Sequence, residues 1–421
     1  MTNPHNDFDD AQYILDATSL LDRFLSYTAI DTQSDEKSDS CPSTPGQMEF
    51  ARTLAGELDG LGAEDAAVDE NGYVYSRFPG NSSAPAVGFI AHMDTSPSFP
   101  GANVRPLVHE KYNGGIIEIR DGVSIDPSES PELDRCTGHT VITSDGTTLL
   151  GADDKAGIAS IFAALEILAS DETIPRPDVC VGFTPDEEIG RGADHFDVAR
   201  FGANAAYTVD GGFTGEFNSE TFSGDKAVVT IRGVAVHPGR AKGKMVNALD
   251  WASELINNIP ADETPRETDG RDGFFHPVEI YGDSSEVHVE LILRDFDDKT
   301  LEERGERLRE MVAVMQRRQP GLSTEVAIER QYRNMAPALA TDSRIVSFGI
   351  EAIRRAGVEP DHRPLRGGTD GSNLTAMGLP TPNIFTGGAN FHGPREWVSA
   401  QGMALASCTI LNLLMLWVRD A

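Results

Sequence analysis

The chain has 421 residues, 39% of them apolar, enough to bury a sizeable core and to exclude global disorder. Its 35 basic residues against 67 acidic ones leave a formal charge of −32. That field repels phosphate backbones and anionic lipid head groups, so neither nucleic acid nor a membrane surface is an expected partner. The four cysteines, Cys41, Cys136, Cys180 and Cys408, lie far apart, which argues against a cysteine zinc site and against a dense disulfide framework. The opening MTNPHNDFDD lacks the cationic and apolar regions of a signal peptide, and no run of about 18 apolar residues occurs. A cytoplasmic chain with no bilayer span is the expectation.

In chain order, the helical spacing of Ile14, Leu21, Phe24 and Leu25 predicts a helix over 11–30. A Ser/Asp/Pro-rich loop follows, then a second amphipathic helix over 47–61 with Phe50, Leu54, Leu58 and Leu61 on one face. Short apolar strands, VGFIAH, VCVGFTP and AAYTVD, then alternate with helices. After LLGADDKAG, the residues Ile158, Ile161, Phe162, Leu165 and Leu168 mark a helix between the first two strands. This alternation predicts a mainly parallel α/β sheet.

Near residue 219 the texture changes. AVVTIRGVAVHPG is an alternating strand followed by a helix around 246–258, and EVHVELILRDF is a second alternating strand. Thr300 and Glu303 fit a capping box for a helix whose Leu301, Leu308, Met311 and Met315 share a face. STEVAIERQY closes the series, and Phe274–Ile280 adds a further strand. That order predicts an inserted α+β, ferredoxin-like domain. The α/β texture resumes after residue 337, with a helix over 343–356. The expected organisation is therefore a first α/β part over 1–218, an insertion over 219–336 and a second α/β part over 337–421.

Polar residues gather where the strands end. His92 and Asp94 close the first strand, and Asp153 and Asp154 sit at a turn into a helix. Glu187 and Glu188 follow the second strand, Asp210 ends the third, and His392 lies in the Gly-rich loop TGGANFHGP. Each alone has an ordinary explanation as a cap, a solvated loop or a turn residue. In an open parallel sheet, however, the loops beyond the carboxyl ends of the strands converge on one crevice. Two histidines and several carboxylates without cysteine suit a divalent cation, zinc first, with cobalt or manganese also accepted. The surplus of carboxylates suits two ions about 3.5–4 Å apart sharing a bridge. Asp94, two residues after His92, is placed to accept the other ring N–H of that histidine and so to aim it.

The motifs HMDTSP, LLGADDKAG, FTPDEEIG, YTVDGG, VHPGRAKGKMVNA, RDFD, RGGTDGS and TGGANFHGPREW occur in the order seen in the peptidase T family. The chain resembles that family, the tripeptide aminopeptidases of a co-catalytic zinc exopeptidase group that also holds aminoacylases and glutamate-type carboxypeptidases. The likeness runs from about residue 18 to the C-terminus, with an acidic N-terminal extension and Met93 inside the first motif as departures. It implies a mainly parallel-sheet zinc-exopeptidase catalytic domain with an inserted lid. It also implies His92 and Asp210 on one metal, Glu188 and His392 on the other, and Asp153 bridging both across a cis Asp153–Asp154 peptide.

By the same resemblance Glu187 is the general base and Asp94 the partner of His92. In the inserted domain His237, Asn247 and Arg294 contact the substrate, His237 at the oxyanion and Arg294 at the peptide's terminal carboxylate. The residues themselves leave His237 open as a turn residue before Pro238, and Arg294 open as an internal ion-pair partner of Asp295 or Asp297. Asp370 is expected to shape the crevice floor. The implied substrates are tripeptides with a free N-terminus. Sister activities (dipeptidase, carboxypeptidase, N-acyl amino acid deacylase) would share the same ligands, and a non-catalytic binding protein would have lost one. Homodimer formation through the insertion stays open.

Overall fold

The computed structural model describes residues 7–419, which divide into two compact units. The first comprises the chain through Ser219, Pro337–Arg363 and the chain from Thr369 onward; the second comprises Glu220–Ala336 and Pro364–Gly368. The five-residue return of Pro364–Gly368 to the second unit has no hydrophobic period of its own. It is joined there by pairing, with Leu365 bridged to Thr221.

The first unit is built on an eight-stranded sheet. Its spatial order is Glu64–Val68, Val74–Phe78, Val179–Thr184, Val87–His92, Ala205–Gly211, Asn383–Phe385, Glu216–Asn218 and Asp361–His362. The four central strands run parallel, with His92 opposite Thr184, Ile90 opposite Thr208, and Asn383 opposite Thr208. Every residue of Val87–His92 and of Val179–Thr184 is buried, as expected of strands covered on both faces. Gly88 interrupts the first of these because the Phe201 ring occupies the place of its side chain; a Cβ there would lie 2.4 Å from that ring. Because the strands are parallel, His92, Thr184, Asp210 and Phe385 all arrive at one edge of the sheet.

The helix Ala152–Ser170 packs beneath Val87–His92 and Ala205–Gly211 and is buried along almost its whole length. Gly157 lets it approach, since a Cβ at that position would stand 1.9 Å from the Val209 carbonyl oxygen. The helix expected over 11–30 is two helices, Ala11–Ala17 and Leu20–Thr28. Thr18 is extended between them, and the Ser19 N–H donates to the Glu166 carboxylate at 2.8 Å instead of continuing a helical ladder.

Among the described residues one helix, Ala400–Arg419, is long and apolar enough to cross a membrane by length and composition, although it holds no unbroken apolar run of about 18 residues. Its apolar surface is taken up by the core, against Ala152–Ser170 and Ser343–Arg355. Ser407, Thr409 and Asn412 interrupt the apolar run, which is why it escapes a count of consecutive residues. All three are buried, and each is satisfied by hydrogen bonds, Asn412 through the backbone N–H and carbonyl of Phe8.

The second unit is a four-stranded antiparallel sheet in the order Phe274–Gly282, Glu286–Asp295, Ser223–Arg232, Ser323–Tyr332. With helices Ala248–Asn258 and Asp298–Arg318 between strands, the chain order is the strand–helix–strand–strand–helix–strand series of a ferredoxin-like fold. Ala227, Val229 and Ile231 alternate toward the helices beside Val287, Val289, Leu291 and Leu293, and meet Leu301, Leu308 and Met315. The capping residue differs from expectation. Asp297 caps the second helix, accepting the Thr300 N–H at 2.8 Å, so Thr300 lies inside the first turn. An acidic side chain three residues ahead of Thr300 satisfies the free N–H groups earlier than a threonine there can.

Leu291 is fully buried in this second core. Leu291→Ala is expected to cost about 2–5 kcal/mol. Hydrogen exchange should quicken throughout Ser223–Arg232 and Glu286–Asp295 and leave Val87–His92 protected.

Candidate metal centre and active site

The ends of the parallel strands carry His92, Glu187, Glu188 and Asp210, and the turn into the Ala152–Ser170 helix and the loop after Asn383–Phe385 add Asp153 and His392. His92 is 2% exposed. Its Nε2 lies 2.9 Å from Asp153 Oδ1 and 3.5 Å from Asp210 Oδ1. The other oxygen of Asp153, Oδ2, is 3.1 Å from His392 Nε2, and that nitrogen is 3.0 Å from Glu188 Oε1. One carboxylate thus stands between two imidazoles with one oxygen facing each. Within each set, His92–Asp153–Asp210 and Asp153–Glu188–His392, the ligand atoms lie within 4.8 Å of one another. The Asp153–Asp154 peptide is cis. Asp154 itself turns away from both sets, its carboxylate accepting the backbone N–H groups of His92 and Gly157 at 3.2 Å each.

His92 is aimed by its other ring nitrogen. Nδ1 lies 3.0 Å from the Asp94 carbonyl oxygen and 3.4 Å from Asp94 Oδ1. A proton on Nδ1, donated to that carbonyl, leaves the Nε2 lone pair free for a cation. Asp94 does more than its spacing indicates. Its two carboxylate oxygens accept the backbone N–H groups of Glu187 at 3.0 Å and Glu188 at 3.1 Å, so the histidine loop and the Glu-Glu turn share one anchor. Among the described residues nothing hydrogen-bonds to the Glu187 carboxylate itself.

The electrostatics are those of crowded acids in a dry place. Burial, with the charge of Asp210 next, holds the Glu187 carboxyl well above the usual range. Burial and Asp153 push Glu188 to about 7, and burial pushes Asp210 to about 6 against the opposing pull of His92. Hydrogen bonds to Asp153 and Glu188 raise His392 to about 10. For His92, burial alone would lower the value, but the charge of Asp210 and bonds to Asp153, Asp210 and Asp94 carry it well above the ordinary imidazole range. The imidazolium protons thus stand in for missing positive charge.

The donor set fits divalent cations: two imidazole nitrogens, three carboxylates and no sulfur. Glu188 Oε1 is buried and faces His392 Nε2 at 3.0 Å, so in this dry place its charge is answered by that ring.

Three residues that support the site carried no signal in the sequence. Asp186, in the left-handed region at φ 57°, accepts from the Ser43 N–H at 2.7 Å and from Gln47 Nε2 at 2.7 Å, and its own N–H returns to Gln47 Oε1 at 3.0 Å. It ties the Glu187 turn to the start of the Pro45–Gly60 helix. Glu396, four residues beyond His392, accepts the backbone N–H groups of Leu150, Gly151, Ala152 and Asp153. The expected floor residue, Asp370, is buried and accepts from Thr184 Oγ1 at 2.7 Å. Thr184 at the sheet edge is the third of the three, visible only once its strand is paired with His92. A cavity of about 340 Å³ is lined by residues flanking the ligands in sequence, among them Gly212, Phe213, Gly388, Ala389 and Phe391.

His237, Asn247 and Arg294 all belong to the second unit. His237 is exposed, and its Nδ1 accepts the Gly239 N–H at 3.2 Å in a short turn. Asn247 caps the Ala248–Asn258 helix, accepting from the Leu249 N–H at 3.1 Å. Arg294 is buried and pairs with neither Asp295 nor Asp297. Its guanidinium donates to the carbonyls of Asp225 and Leu293 and to Gln331 Oε1, and lies over the Tyr332 ring. Asp295 is paired with Arg304 instead, at 3.0 Å.

Residues 144–415 match the model of the peptidase family M20/M25/M40. The chain belongs to this family. It is 46% identical over 406 residues to peptidase T of Geobacillus kaustophilus, covering 96% of this chain and 99% of that one. It is equally similar to peptidase T of Bacillus subtilis strain 168, at 46% over 398 residues, 94% of this chain and 97% of the other. Among solved structures, a tripeptidase from Staphylococcus aureus superposes with a TM-score of 0.76 at 22% identity, over 98% of this chain and all of that one. An aminopeptidase PepT from Bacillus cereus does so with a TM-score of 0.74 at 23% identity, over 94% and 98%. At that identity the two structures speak for the fold.

Imidazoles raised in this way must lose their protons before they can ligate. Without metal, the stability from the His392 contacts is full below the unfolded imidazole value and is lost as pH rises through about 10. Loading metal at pH 7 should therefore release protons from His92 and His392. Calorimetric titration in two buffers of different ionisation enthalpy should show that release, and apparent affinity should fall as pH is lowered.

Proposed function

We propose that the chain is a two-metal aminopeptidase that removes the N-terminal residue from tripeptides. The observation that carries this reading is a single carboxylate, Asp153, shared by two histidine-containing donor sets, with the Glu187 carboxyl beside them and free of hydrogen bonds. His92 and Asp210 would hold one cation, Glu188 and His392 the other, and Asp153 would be shared between them. Zinc suits these nitrogen and oxygen donors, and cobalt and manganese are acceptable substitutes.

Cations held in this way lower the pKa of a water and polarise a peptide carbonyl. Glu187 would take the water's proton and pass it to the departing amine, and burial, with the charge of Asp210 next, holds its carboxyl well above the usual range. Asp94 keeps both the His92 ring and the Glu187 turn in register during the transfer. Thr184 and Asp370 form the floor behind them.

Substrate contacts are assigned to His237, Asn247 and Arg294. What supports Arg294 is its unbalanced charge: no carboxylate of the described residues lies within ion-pair distance, so its guanidinium is suited to a peptide's terminal carboxylate. Asn247 has the weakest support, because its side-chain oxygen is already committed to a helix cap. The reading keeps small peptides as the partners, with no nucleic acid or membrane, and a cytoplasmic location.

Amine release from matched di-, tri- and tetrapeptides and an N-acetylated tripeptide tests the assignment. Cleavage of the free tripeptide, abolished by a chelator, is the expected result; preference for the dipeptide or the blocked peptide would move the chain to a sister activity. Glu187→Gln should lower kcat by about 10²–10⁴-fold while elemental analysis still finds two metals per chain. Near-normal turnover in that variant would remove Glu187 from the role.

A further inference from the structure

Glu396 lies outside every donor set, yet its surroundings are unusual for a carboxylate. It is 1% exposed and hydrogen-bonds to no cationic side chain. Oε2 accepts the N–H groups of Leu150 at 2.7 Å and Gly151 at 3.0 Å, and Oε1 those of Ala152 at 2.7 Å and Asp153 at 3.2 Å. Four consecutive backbone N–H groups of the turn leading into the helix that ends at Ser170, a turn in which Asp153 and Asp154 are themselves non-helical, thus close on one side chain. These backbone donors give both oxygens the hydrogen bonds that a buried carboxylate needs.

Its chain position adds a second constraint. Glu396 is four residues after His392, and its own N–H donates to the Gly393 carbonyl at 3.2 Å, so the loop carrying His392 folds back directly onto it. Trp397 and Val398 then pair antiparallel with Thr143 and Ile142 in a separate four-stranded sheet. One side chain therefore links the backbone that carries Asp153 to the loop that carries His392.

From this geometry we infer that Glu396 is a positioning residue that sets the bridging carboxylate of Asp153 against His392, and thereby the spacing of the two donor sets. The inference rests on the metal-centre reading of those sets. A glutamine in its place keeps the shape but offers one acceptor oxygen and turns an N–H₂ group toward backbone donors.

The test compares Glu396→Gln with the unaltered chain in zinc titrations against a competing chelator, alongside kcat and KM for a tripeptide at saturating zinc. Expected is a 10–100-fold weaker zinc affinity, together with a lower kcat at unchanged KM. Wild-type affinity in a folded variant would overturn the inference. So would a fall in melting temperature with zinc affinity untouched, since that is all a purely structural role would give. Should Glu396→Gln fail to fold, Glu396→Asp, which keeps the charge but draws it back by one methylene, should show the same loss of affinity. Zinc affinity is read without substrate, so an inactive unaltered chain would count against the tripeptidase reading and leave this inference standing or falling on the titration.

Discussion

The structure turns on a single carboxylate held between two imidazoles. Asp153 places one oxygen 2.9 Å from His92 and the other 3.1 Å from His392, and both Glu188 and Asp210 lean on the same pair of rings. So many acids in a buried space repel one another, and without cations the histidines answer by holding protons that ordinary imidazoles would release. A pair of divalent ions satisfies the same demand with far greater charge density.

Such a site can exist only if its parts are prevented from relaxing away from each other. Asp94 binds the His92 ring on one side and the Glu187 and Glu188 amides on the other. Asp186 fastens that same turn to the Pro45–Gly60 helix through Ser43 and Gln47. Glu396 collects the amides leading into Asp153. Each of these acids is itself buried; Asp94 and Glu396 are satisfied by backbone donors, which cannot swing toward a competing partner, and Asp186 by one backbone N–H and the side chains of Ser43 and Gln47. The parallel sheet beneath provides the frame, because its central strands deliver their C-terminal ends to one edge.

Much of this was legible in advance where a signal is local. The fully apolar VGFIAH and VCVGFT read as strands covered on both faces, and the alternation of EVHVELILRD reads as a sheet with one face in a core; both are what the structure contains. The apolar spacing of Leu301, Leu308 and Met315 likewise matches their burial. Local signals failed where a distant partner decided the outcome. The break between the first two helices follows from Glu166 capturing the Ser19 amide, and the last helix hid its apolar character behind three polar residues, two of which, Ser407 and Asn412, find partners on other segments. Arg294 was open to an ion pair with the acids next to it, and the fold gave the nearer of them to Arg304.

The candidate ligands could be proposed from the chain alone, since histidines and carboxylates at the ends of apolar strands are a chemical pattern that does not depend on how the strands are ordered. Which of those residues would face one another, and at what distance, followed only from the sheet order that sets Asp210 beside His92 and from the loop closure that brings His392 to Asp153. The supporting acids Asp186 and Glu396 were unreadable for the same reason. Their work is done through hydrogen bonds to amides more than a hundred residues away, and a backbone amide has no identity in the sequence. The donor chemistry is a property of side chains, written one residue at a time; the geometry that makes it a metal centre is a property of the folded backbone.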